Sequence, residues 1–145
     1  MNDRYFFDTN ILVYAHDSSA GAKHARAKAL VEDTWRAGTG VVSTQVLQEF
    51  AVSLQRKVAR PPDLDAIREA VSDYQSWEVV VNNAASILNA LEIQKRHQIS
   101  FWDALVVHAA ETSGASVLYS EDLSDGRVFG TVKVVNPLQA EPARP

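Results

Sequence analysis

Five short apolar runs divide the chain, and amphipathic stretches fill the gaps between them. The first run, Tyr5-Phe6-Phe7, is three aromatics that suit a buried strand. Four more repeat the β-branched and aromatic pattern: Val41-Val42-Ser43, Trp77 to Val81, Ser116-Val117-Leu118-Tyr119, and Val132-Lys133-Val134-Val135. After the first run, Ile11 to Tyr14 predicts a short helix or turn. A helix over Lys23 to Arg36 follows, with Ala25, Ala29, Leu30 and Trp35 near one face and Gly38-Thr39-Gly40 at its end. Further helices are predicted over Gln45–Lys57, Leu64–Gln75, Ala84–His97 and Phe101–Thr112, with Thr44, Asp63 and Ser100 as caps. Arg60-Pro61-Pro62 separates the first two of these. The last is apolar nearly all round, through Ala104-Leu105-Val106-Val107 and Ala109-Ala110, which predicts a central, buried helix.

Strands alternating with helices predict an α/β fold whose five-stranded, mostly parallel sheet is covered on both faces. A length of 145 residues suits one domain, expected over 1–138, with a loose tail over 139–145.

Composition narrows the chemistry. No apolar run approaches the roughly 20 residues a membrane helix requires. Met1-Asn2-Asp3-Arg4 lacks the basic start and apolar centre of a signal peptide, so a cytoplasmic protein is expected. The absence of cysteine excludes disulfide frameworks, thiol nucleophiles and thiolate metal sites. His16, His24, His97 and His108 form no i, i+4 pair, which speaks against a histidine-rich zinc site. Any metal would therefore sit among carboxylates, which points to a hard ion such as Mg²⁺ or Mn²⁺. The formal net charge of −4 argues against a passive nucleic-acid binder, but a bound cation inverts the local charge.

Four acids follow predicted strands: Asp8, Glu49, Asp103 and Asp122. Each also has an ordinary reading. Asp8 suits a helix N-cap, Glu49 a solvated helix face, Asp103 a variant capping box with Ser100, and Asp122 simple turn chemistry. Together they fall at the carboxyl ends of strands or in the helix just after one. In a parallel sheet those ends share an edge. Acids crowded there repel each other, and a divalent cation relieves the repulsion. Such a site suits phosphodiester hydrolysis by a metal-activated water. No G-x-S-x-G elbow, Walker A pattern or G-x-G-x-x-G supports another route.

The residues around these acids resemble a known family. Phe7-Asp8-Thr9-Asn10-Ile11-Leu12-Val13-Tyr14 resembles the opening motif of PIN-domain proteins. Ser43 to Phe50, Ser100 to Leu105 and Leu118 to Leu123 resemble their second, third and fourth motifs, in order across nearly the whole chain. The resemblance implies a three-layer α/β/α fold and a Mg²⁺- or Mn²⁺-dependent nuclease whose acidic set is Asp8, Glu49, Asp103 and Asp122. Asn10 and Ser120 would be its polar supports. Glu121 and Asp125 share the fourth segment, and Asp122 stands where the family's acid usually falls. Single-domain members of this size resemble VapC-type toxins: endoribonucleases that cut RNA, are held off by a cognate antitoxin and commonly dimerise. Arg56, Lys57, Arg60 and Arg127 are candidate RNA contacts, although cations at helix ends are common anyway. Trp77 reads as core.

Two other functions compete. A PIN-like scaffold could bind RNA or protein without cutting. A phosphatase of the haloacid-dehalogenase type also opens on an Asp after its first strand, but it wants a second Asp two positions on, where this chain has Asn10.

Overall fold

A computed structural model describes residues 3–139. Met1, Asn2 and the expected tail from residue 140 onward lie outside the described residues. Strands β1 (Tyr5–Phe7), β2 (Gly40–Ser43), β3 (Glu78–Val80), β4 (Val117–Tyr119), β5 (Val128–Phe129) and β6 (Val132–Val135) form one sheet in the order β3-β2-β1-β4-β6-β5. All pairings are parallel except β5 with β6. The sheet thus has six strands where five were expected. Strand β5 has only two residues, held between Gly126 and Gly130, too few to leave a periodic trace. The third run is also shorter than expected: Trp77 precedes the strand and is a core residue, 7% exposed.

The helices are α1 (Thr9–His16), α2 (Ala22–Ala37), α3 (Thr44–Arg56), α4 (Leu64–Tyr74), α5 (Ala84–His97) and α6 (Phe101–Thr112). Chain order and sheet order together divide them. From β1 to β3 the chain steps along the sheet in one direction, carrying α1 to α4. From β3 to β4 it returns across β2 and β1, carrying α5 and α6. Right-handed crossovers place the two groups on opposite faces, giving three layers. Helix α1 packs on α2 and α3, and α5 on α6.

Burial follows. Phe6 and Phe7 point to opposite faces of β1, and both are fully buried, as are Val41 and Val42 of β2. Toward the other edge Val132 and Val134 are buried while Lys133 is exposed, so the cover thins there. An aromatic cluster ties β1 and the start of β3 to helices α2 and α4: the Trp77 ring lies 5.2 Å from Phe7, 5.1 Å from Tyr74 and 5.3 Å from Trp35, centroid to centroid. Gly40 makes this possible, because a Cβ there would stand 2.5 Å from the Trp77 ring.

The caps explain the helix starts. Asp63 and Ser100 cap α4 and α6 as expected, accepting the amides of Ala66 and Asp103. Helix α3 is capped by Ser43, not Thr44: Ser43 Oγ accepts the Val46 amide, while Thr44 Oγ1 accepts the Asn82 amide. Asp8 caps α1, so its ordinary reading holds as a structural fact.

Candidate active site

Strands β1 and β4 are neighbours whose next connections leave in opposite directions, the switch point at which open α/β sheets gather ligands. Asp8 follows β1 and Ser120 follows β4, and the Asp8 amide donates to the Tyr119 carbonyl at 2.9 Å. Asp8 is 6% exposed. Its Oδ1 accepts the Thr9 amide at 2.8 Å and its Oδ2 accepts Ser120 Oγ at 2.9 Å. Burial raises its pKa from 3.8 to about 7; the Ser120 and Thr9 hydrogen bonds oppose the rise, and the charges of Asp122 and Asp103 add to it.

The other acids arrive from three directions. Glu49, on the second turn of α3, is exposed, and its Oε1 accepts Thr9 Oγ1 at 3.1 Å. The solvated position expected of it is real, yet the side chain is tied to the residue after Asp8. Asp103 lies in the first turn of α6, where the helix dipole favours an anion. Its amide donates to Ser100 Oγ, but no reciprocal bond from its carboxylate completes a capping box. Asp122 comes from the loop after β4. Asn10 Nδ2 donates to both of its oxygens, at 3.3 and 3.2 Å. Partial burial raises the Asp122 pKa, the charges of Asp103 and Glu121 add to this, and Lys57 and Asn10 oppose it.

These residues line one cleft of about 280 Å³, with Asp8, Thr9, Asn10, Glu49, Asp103 and Asp122 in its wall. Four acids predicted from separate motifs therefore meet. Ser120 stands behind them, fully buried, joined to Asp8. The neighbouring acids of the fourth segment are committed elsewhere. Glu121 accepts Tyr14 Oη at 2.9 Å and Lys23 Nζ at 2.6 Å, and Asp125 accepts the Asn136 amide at 2.8 Å. Of the four cations singled out in the sequence, Lys57 lines the cleft. Arg127 instead donates to the His97 carbonyl and covers the Phe129 ring. The lining also includes Gln45, Ser53 and Trp102, which sequence reasoning did not single out. Nothing local marks Gln45, and Trp102 reads in sequence as one more apolar residue of α6; its 62% exposure appears only in the fold.

The donor set is made of hard oxygens; burial raises the pKa of two of its members, and the charges of neighbouring acids add to the rise. That chemistry fits a divalent cation. As the side chains stand, no three His, Cys, Asp or Glu among the described residues are close enough to grip one ion together.

No curated protein matches the chain. Solved structures share its fold. VapC20 of Mycobacterium tuberculosis, a sarcin-ricin-loop-cleaving toxin, superposes with a TM-score of 0.62 at 22% identity, covering 81% of this chain and 89% of its own. A toxin–antitoxin complex from Klebsiella pneumoniae gives 0.66 at 15% identity, with 92% and 97% covered. VapBC2 of Rickettsia felis, bound to a DNA fragment from its promoter, gives 0.60 at 17%, with 90% and 96% covered. At such identities the likeness is one of fold. In sequence, the PIN domain family model matches residues 5–124, a span that starts at β1 and reaches past Asp122. With that span, that topology and the acids at its switch point, the chain belongs to the PIN domain family.

Proposed function

We propose that the protein is an endoribonuclease dependent on Mg²⁺ or Mn²⁺, the toxin of a type II toxin–antitoxin pair. It would act on RNA in the cytoplasm as a homodimer and be held off by a cognate antitoxin. One observation carries this reading: Asp8, Glu49, Asp103 and Asp122 line a single cleft at the sheet's switch point. The toxins and toxin–antitoxin complexes that share the fold support it.

In this reading the four acids hold the cation. When bound, such a cation would offset phosphate charge and lower the pKa of a water, so that the water could give up a proton and attack. The chain's own residues set the geometry. Ser120 and the Thr9 amide orient Asp8, Thr9 Oγ1 holds Glu49, and Asn10 spans both oxygens of Asp122. Lys57, in the same wall, supplies positive charge for the RNA backbone.

Cleavage of single-stranded RNA in Mg²⁺ tests the proposal. Asp8→Asn and Asp103→Asn should each abolish it, and full activity in either would refute the assignment. The non-cutting scaffold draws on one observation, that no three ligands converge as the side chains stand. For a scaffold, wild type and Asp8→Asn would bind RNA alike and neither would cut.

A further inference from the structure

We propose that the Trp102 indole is a stacking platform for one unpaired base of the RNA, fixed beside the acidic cleft by Gln45. The inference rests on the ribonuclease reading and names how that site holds its substrate.

Trp102 is 62% exposed although it is among the largest apolar side chains in the protein. It occupies the second position of α6, directly before Asp103, and lines the cleft. Its ring packs edge-on against Phe101, centroids 5.2 Å apart at 79°, and most of its surface stays open. Phe101 before it is half-buried, the acid Asp103 follows it, and Ser100 two positions back is exposed, so Trp102 is an isolated apolar face among polar neighbours, which suits a single flat ligand better than an apolar protein segment. Every base offers a π-face, and only an unpaired base can leave its own stack to reach a protein ring.

Gln45 gives the platform its position. The side chain is 5% exposed, and Nε2 donates to the Trp102 carbonyl at 3.2 Å. Its Oε1 is buried with no partner among the described residues. Leaving an acceptor unpaired carries a free-energy cost, so mere packing at this site would favour an apolar residue. What the glutamine provides is the tie between the first turn of α3 and the first turn of α6. Lys57, in the same lining, stands ready for the phosphate of the same strand.

The test uses a short single-stranded RNA that the wild type cuts, read as separate kcat and KM. Trp102→Ala should raise KM about tenfold, with a much smaller change in kcat, and Trp102→Phe should restore most of the loss. Gln45→Leu should raise KM in the same direction. Abasic nucleotides walked through the RNA should reveal one position where wild type falls to the level of Trp102→Ala and that variant falls no further. An unchanged KM in Trp102→Ala would overturn the inference, as would abasic effects that add to the mutation at every position. Both results leave wild-type cleavage intact, whereas a wild type that cuts no RNA defeats the ribonuclease reading itself.

Discussion

Ser120 Oγ donates a 2.9 Å hydrogen bond to Asp8 Oδ2, joining residues 112 positions apart at the ends of paired strands. The same oxygen accepts the amides of Asp122 and Leu123, at 3.1 and 3.3 Å. One buried hydroxyl thus orients the acid after β1 and shapes the loop that carries the acid after β4. Ser120→Ala removes all three bonds. Urea unfolding should show a loss of about 2 kcal/mol, the scale of a buried hydrogen bond to a charged group. Because that bond favours the ionised carboxylate, its loss should also move the acid limb of the pH–rate profile to higher pH.

Asp8 makes metal-free stability depend on pH, with a definite sign. Its folded pKa of about 7 lies above the ordinary 3.8, so between those values the folded state holds a proton that the unfolded state has released. Stability from this group is therefore greatest at low pH and is lost as pH rises toward 7. Asp8→Asn removes the dependence. In the absence of metal the variant should be more stable than wild type by about 2 kcal/mol at pH 8, below the ceiling set by 1.36 kcal/mol per unit. The gap should shrink toward pH 5. Thermal unfolding in EDTA across that range measures it.

Glu121 anchors the Asp122 loop from outside the cleft by accepting Tyr14 Oη and Lys23 Nζ. Glu121→Ala should lower activity or metal affinity about tenfold, the usual scale for a partner that supports a ligand. Stability should change by no more than about 1 kcal/mol, since the Lys23 pair is partly solvent-exposed. Chemical denaturation beside RNA cleavage separates the two effects.

Gly40→Ala tests the fold without touching the acids. The added Cβ would stand 2.5 Å from the buried Trp77 ring, so the cluster must shift. A loss of about 1–3 kcal/mol is expected, typical of overpacking a core. Below its melting temperature the variant should bind Mn²⁺ as wild type does.

The sequence was most legible where one physical cause dominated. Phe6-Phe7 and Val41-Val42 are apolar on both faces, which already implied a sheet covered on both sides. Asp63 and Ser100 announced their helices by capping chemistry alone. Strand β5 was not legible, because Val128-Phe129 gains its strand character only from pairing with Val132-Lys133. The four acids were legible as a set through motif order, and the cleft gathers them. Their individual fates were not: Asp8 is at once a helix cap and a cleft residue, and Glu49 is both solvated and tied to Thr9. Gln45 and Trp102 stayed hidden because their link depends on how α3 and α6 meet, which no local pattern encodes.

Calorimetric titration of Mn²⁺ into the protein at neutral pH bears most directly on whether these carboxylates serve one ion. Wild type should take up the ion, and Asp8→Asn and Asp103→Asn should each weaken uptake by at least about tenfold. No binding by wild type, or wild-type affinity retained in either variant, would contradict the account.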